Sequence, residues 1–164
     1  MDIIKADKHH ISLIQELAEK SWSAYYSGIL SEDQIKYMLS LMYSKSALTK
    51  DFNNENYEYY LLSSSDEEPV GFMGIELNYE PGTTTLHRLY LLKSEKGKGY
   101  GAAAMNFLKK LVKNQQGNKI ILNVNKNNPA KKFYEAQGFT VYDEGVFDIG
   151  NGYVMDDYLM EILL

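Results

Sequence analysis

The six residues Lys96-Gly97-Lys98-Gly99-Tyr100-Gly101 stand between a strand-like run and a helix-like run. Glycine at three alternate positions lets the backbone turn sharply and leaves its N–H groups uncovered, while a helix starting directly afterwards adds the positive end of its dipole. That combination binds phosphate oxygens. Residues 96–134 hold nine lysines and no Asp or Glu, although 22 Asp plus Glu outnumber 17 Lys plus Arg overall and the net charge is −5. A basic element suited to a phosphate-bearing cofactor is thus embedded in an acidic protein whose other faces attract a cation. Glycine and lysine also fill solvated turns, so the loop taken alone leaves that simpler reading open.

Two other phosphate loops can be set against it. A P-loop needs G-x-x-x-x-G-K-[ST], whereas Gly97-Lys98 is followed by Gly99 and position 92 is leucine. Gly97, Gly99 and Ala102 do fit G-x-G-x-x-A, but a dinucleotide fold opens with this unit and places an acidic ribose ligand about 20 residues on. Here the loop comes late and no acid follows before Glu135.

The elements that must position the loop follow from periodicity and punctuation. Ile3-Ile4 read as a short strand, and Asp7 caps a helix whose Ile11, Ile14, Leu17 and Ala18 keep helical spacing. Ser31 and Gln34 have capping-box spacing before a stripe of Ile35, Met38, Leu39 and Met42; helical character weakens after Leu48. Residues 57–62, 70–77 and 84–92 read as three consecutive strands, an antiparallel meander. A helix with Met105, Leu108, Leu111 and Val112 on one face ends before Gly117, and 120–124 form a short buried strand. Asn128 and Pro129 suit the cap and first position of another helix, which Gly138 ends; 139–142 and 153–162 are the last strands. The order is β α α β β β α β α β β, in a single domain spanning 1–164.

Composition narrows the function classes. A chain of 164 residues with 45 % hydrophobic and 24 % charged residues can bury a core without staples. The absence of cysteine removes disulfides, thiolate zinc sites and a cysteine nucleophile. The charged start and the lack of any stretch near the ~18 apolar residues of a membrane span predict a soluble, cytoplasmic protein with no membrane partner. The net charge and the absence of a basic recognition motif argue against nucleic acid.

At these residues the chain resembles the GNAT superfamily of acetyl-CoA-dependent N-acetyltransferases. Their pyrophosphate loop, Q/R-x-x-G-x-G/A, is matched by residues 96–101 with lysine in the first position. A second signature, N-x-x-A-x-x-[FY]-Y-x-x-x-G-F, is unbroken at Asn127, Ala130, Phe133, Tyr134, Gly138 and Phe139. The segments 22–39, starting Trp22-Ser23-Ala24-Tyr25-Tyr26, and 152–158 are similar to the bacterial polyamine (spermidine/spermine) acetyltransferase branch. The resemblance implies an α/β (α+β) fold, a mixed central sheet flanked by helices, with acetyl-CoA as cosubstrate and no metal. It implies that the strand before the loop splays from its neighbour and hydrogen-bonds the pantetheine arm through Leu89, Tyr90 and Leu91. The N–H groups of Lys96, Gly97, Lys98, Gly99, Tyr100, Gly101 and Ala102 would hold the pyrophosphate, with Asn127 and Phe133 along the cofactor arm. Lys131 and Lys132 would either reach nucleotide phosphates or stay as solvated charges. Tyr134 would protonate the departing thiolate, a transfer from a phenol of pKa near ~10 to a thiolate whose conjugate acid lies near ~8.5, so it depends on positioning.

An alkylamine with pKa about 10 must lose a proton before it attacks a thioester. Relatives use a glutamate on the central strand; here His87 lies on that strand and Glu76 on the one before, and either could serve. A strand histidine in a purely structural role is the competing explanation for His87, and His9 and His10 read as helix-surface residues. Between residue 133 and the end there are seven acids and no Lys or Arg. Such a surface draws a polycation, though ordinary solubilising charge has the same composition. Trp22, Tyr25 and Tyr26 offer cation–π contacts to an acceptor ammonium, or belong to the core. Without cysteine, transfer is direct within a ternary complex. The leading acceptor is a small-molecule polyamine, with a protein or peptide amine, or a non-catalytic CoA-binding sensor, as alternatives. Exposed apolar surfaces could support a homodimer.

Overall fold

The computed structural model, which describes residues 1–164, contains one seven-stranded sheet with helices on both faces. Strand β1 (Asp2–Lys5) leads through a single 3-10 turn, Lys8–His10, into α1 (Ile11–Tyr26). Asp7 caps that short turn and not α1 itself, accepting from the His9 N–H at 2.8 Å. Next come α2 (Glu32–Tyr43) and α3 (Lys45–Asn53). Ser31 and Ser44 start these two helices by accepting the N–H of Gln34 and Ala47, each at 3.1 Å. Helix α3 is the element that periodicity understates: Leu48 is its one buried residue, so it lacks an apolar stripe and is held by its cap and by packing. It accounts for the weakened helical character expected beyond Leu48, where a helix in fact continues to Asn53.

The meander follows as β2 (Tyr57–Ser63), β3 (Pro69–Glu80) and β4 (Thr83–Leu91), all antiparallel. Then come α4 (Tyr100–Asn114), β5 (Lys119–Asn125), α5 (Ala130–Ala136) and the hairpin β6 (Thr140–Gly150) and β7 (Tyr153–Leu163). The sheet order is β1-β2-β3-β4-β5-β7-β6, and β4 with β5 is its only parallel pair. Strand β6 runs eight residues beyond the expected end at 142. Asp143, Glu144 and Asp148 interrupt its apolar pattern, but as an edge strand with no buried residue it is held by its pairing with β7 and needs no buried stripe.

Each sheet face carries its own core. Ile14, Trp22, Leu48 and Phe72 represent the α1–α3 side; Met105, Leu108, Ile120 and Met160 represent the side covered by α4 and α5. No helix is long and apolar enough to cross a membrane.

Strand β4 pairs with β5 only from Thr83↔Lys119 to Leu86↔Leu122, yet β4 stays with β3 as far as Gly71↔Leu91, and β5 stays with β7 as far as Asn125↔Asp157. Past Leu86 and Leu122 the sheet therefore splits along its middle, and the backbone edges of residues 87–91 and 123–125 face a gap instead of each other. The register against β3 shifts at the same point, Leu86↔Ile75 being followed by Arg88↔Gly74, which leaves His87 as a bulged residue. A bulge bends the strand that carries it and re-aims its side chain.

Candidate active site

The split opens a cleft of about 470 Å³ that passes from the α1 side to the α4–α5 side. Leu89, Tyr90 and Leu91 line one wall; Asn123 and Val124 line the other. Backbone N–H and C=O groups left without a neighbouring strand require another partner, which an extended amide-bearing arm placed in the gap would supply.

At one end lies the glycine loop. Lys96, Gly97, Gly99, Tyr100, Gly101 and Ala102 border the cleft, whereas the Lys98 side chain turns to Glu95 at 3.0 Å. Gly97 and Gly99 adopt φ of 83° and 85°, and a Cβ at either would meet nothing within 4 Å. Their requirement is therefore conformational: the left-handed backbone turns the loop into α4. Gly99 is the N-cap of α4 and makes no side-chain cap bond, so the N–H groups of the first turn remain available to an anion. Gly101 serves differently, because a Cβ there would lie 3.1 Å from the Phe133 ring. Introducing a side chain at the first kind of position, as in Gly99→Val, imposes a left-handed strain of about 1–2 kcal/mol. The loop relieves this by turning its N–H groups away, so the expected result is an acetyl-CoA KM raised about tenfold with kcat little changed, checked by steady-state kinetics.

Two Asx turns launch α5 on the opposite wall. Asn125 Oδ1 accepts the Asn127 N–H, and Asn128 Oδ1 accepts the Ala130 N–H, both at 2.9 Å. The helix proper begins at Ala130, one residue after the expected first position. Gly138, at φ 100°, ends it, and Lys109 Nζ donates to the Gln137 carbonyl at 2.7 Å. So braced, α5 presents Phe133 and Tyr134 to the cleft, their rings edge-on at 5.2 Å. Asn127 does not border the cleft; its neighbour Asn128 does. Burial raises the Tyr134 phenol well above its ordinary pKa of 10. It is thus held neutral, as a hydrogen-bond donor.

At the α1 end, His87 and Tyr25 border the cleft. His87 Nε2 lies 2.9 Å from Glu76 Oε2, and the His87 ring stacks on Tyr57 with centroids 5.2 Å apart and planes 8° from parallel. Glu76 does not border the cleft, so the two candidate bases form one hydrogen-bonded pair with the imidazole on the cleft side. Burial, together with the Arg88 charge, keeps the His87 pKa below its ordinary 6.5 against the opposing pull of Glu76. A neutral imidazole that donates Nε2–H to a carboxylate retains Nδ1 as a proton acceptor.

Trp22 and Tyr26 do not border the cleft. Both are buried, with ring centroids 4.4 Å apart, and Trp22 packs on Tyr90 at 5.8 Å, so they form a backing for the wall.

Sequence reasoning missed the support beneath His87. Arg88 donates to Asp51 Oδ2 at 3.0 Å, to the Tyr57 hydroxyl at 2.5 Å and to the Tyr59 hydroxyl, and its guanidinium lies 4.9 Å over the Tyr43 ring. This network ties α3 and β2 to β4 and fixes the Tyr57 ring on which His87 stacks. The available signal was that Arg88 is the only arginine in the chain and sits within an apolar strand.

The acetyltransferase (GNAT) family model matches residues 14–139. The chain belongs to the GNAT family. It is 28 % identical over 160 residues to the spermidine N(1)-acetyltransferase of Thermoplasma acidophilum, covering 95 % of this chain and 96 % of that protein. Its fold matches the PaiA N-acetyltransferase of the same organism, solved in complex with coenzyme A, with a TM-score of 0.83 at 24 % identity, over 99 % and 98 % of the two chains. A SpeG–hSSAT chimera of the Vibrio cholerae spermidine N-acetyltransferase gives 0.72 at 19 % identity, over 99 % and 94 %. Like other GNAT proteins, this one is an acetyl-CoA-dependent N-acetyltransferase with a mixed seven-stranded sheet and flanking helices.

Proposed function

We propose that this GNAT enzyme acetylates a primary amine of a polyamine such as spermidine, by direct transfer within a ternary complex. The observation that carries this reading is the split between β4 and β5, which brings an anion-binding loop, a buried phenol and a histidine–carboxylate pair to one cleft. Similarity to a spermidine acetyltransferase along nearly the whole chain supports the acceptor class.

The loop N–H groups of residues 96–102 hold the pyrophosphate, and the free edge of 89–91 aligns the pantetheine arm so that the thioester lies in the gap. The acceptor approaches from the α1 side, where His87 takes a proton from its ammonium and Glu76 stabilises the imidazolium formed. The neutral nitrogen attacks the thioester carbon, the C–N bond forms and the C–S bond breaks, and the second proton on that nitrogen passes to the departing thiolate, leaving a neutral amide and free thiol. Tyr134 donates a hydrogen bond to the departing sulfur as its charge develops. Because burial makes full loss of the phenol's proton unfavourable, stabilisation by the O–H···S contact dominates its contribution.

The test is acceptor-dependent thiol release from acetyl-CoA, with product masses, for spermidine, spermine, a short diamine and a lysine-bearing peptide. Monoacetylated polyamine as the favoured product is the expected result. A preference for the peptide would replace the polyamine assignment with a protein amine. Binding of acetyl-CoA without turnover of any amine would contradict the proposed acceptor class.

A further inference from the structure

Behind the β5 wall of the cleft sits a buried carboxylate with no ion-pair partner. Asp157 occupies β7 opposite Asn125, at the last register position before β5 and β7 part. It is 7 % exposed, and its Oδ1 is buried without a hydrogen-bond partner. It forms no ion pair: the Asn123 amide and the Asp156 carboxylate act on it, and Tyr26 of α1 senses its charge. On its other side β6 offers Gly145. Lys126, the nearest cation along β5, is engaged by Asp156 at 3.1 Å and Glu144 at 3.4 Å. Of these neighbours, Asn123 borders the cleft directly.

Burying a carboxylate without a partner is unfavourable, and a fold retains such a group where something else supplies the missing charge. No three His, Cys, Asp or Glu side chains converge here. Asn123 borders the cleft, and on the amine-acetylation reading a cationic acceptor enters there.

We propose that Asp157 is a specificity residue whose unneutralised charge, acting across Asn123, holds the second, non-reacting ammonium of a diamine or polyamine acceptor. The inference rests on the amine-acetylation reading above. It places recognition of the distal charge on β7, separate from the proton-accepting pair on β3 and β4.

The test compares wild type and Asp157→Asn at pH 8 with saturating acetyl-CoA, using spermidine and n-butylamine as acceptors. The ratio of their kcat/KM values is expected to fall about tenfold or more in the variant, through the KM for spermidine. An unchanged ratio would overturn the proposal, as would equal losses with both amines. Thermal unfolding separates this from a structural role. Burial raises the Asp157 pKa from 3.8 to about 6 in the folded protein, so its charge lowers stability above about pH 6 and the penalty disappears below 3.8. The variant should therefore unfold at a higher temperature than wild type at pH 8 and at the same temperature at pH 3.5. A lower Tm at pH 8 would mark the side chain as structural and contradict the inference. Absence of turnover of either amine by the wild type would defeat the acceptor reading itself, a result distinct from any property of the variant.

Discussion

Tyr134→Phe is expected to lower kcat for amine acetylation by about 10²–10³-fold while leaving acetyl-CoA affinity nearly intact. The ring packs edge-on against Phe133 and Phe139 at 5.2 and 5.8 Å, contacts that phenylalanine reproduces, so α5 and the cleft wall keep their shape. What is lost is one O–H donor which, on the proposed mechanism, meets a sulfur that becomes charged only as the C–S bond breaks. An interaction made only in the transition state appears in kcat and not in binding. Steady-state kinetics with calorimetric titration of coenzyme A checks the split. A parallel loss of coenzyme A affinity would show that the tyrosine serves the cofactor, and unchanged kcat would remove it from the chemistry.

His87→Ala should lower kcat by about 10²-fold at pH 7 and abolish the acidic limb of the pH profile. With His87 as the proposed proton acceptor, wild-type activity is expected to fall as pH drops through the His87 pKa, which burial and Arg88 hold below 6.5, because imidazolium cannot accept the amine proton. Glu76→Gln removes the group whose hydrogen bond and charge raise that pKa. The limb should then move to lower pH, while kcat on the plateau falls because the imidazolium formed in the reaction loses its stabilising partner. The two variants thus have different signatures: the limb vanishes in one and shifts down in the other. Profiles of kcat from pH 5 to 9 at saturating amine distinguish them, and a limb that survives His87→Ala would assign proton transfer to another group.

Much of the architecture was legible because it is written in local chemistry. Gly97 and Gly99 stand where the backbone requires positive φ, and Gly138 stops α5 in the same way. The apolar stripes of α1, α2 and α4 announce their buried faces. Helix α3 and most of β6 were harder to read, since a helix with one buried residue and a fully exposed edge strand carry little periodicity. At the site, the sequence signature draws attention to Asn127, yet in the fold that residue supplies an N–H to an Asx turn while Asn128 borders the cleft. Trp22 reads as an aromatic suited to a cation but lies 1 % exposed within the core. Arg88, Asp51 and Asp157 acquire meaning only through long-range pairing: Arg88 meets Asp51 across 37 residues, and Asp157 comes to lie opposite Asn125 because β7 inserts beside β5. No local pattern encodes such a meeting.

The central claim is that the gap between β4 and β5 joins the cofactor to a polyamine. A crystal structure with coenzyme A and spermidine bound tests it most directly. The account predicts the pyrophosphate on the N–H groups of residues 96–102, the thiol sulfur beside the Tyr134 hydroxyl, the reacting amine toward His87 and the distal ammonium toward Asn123 and Asp157. A sulfur remote from Tyr134, or spermidine bound outside the α1 end of the cleft, would contradict it.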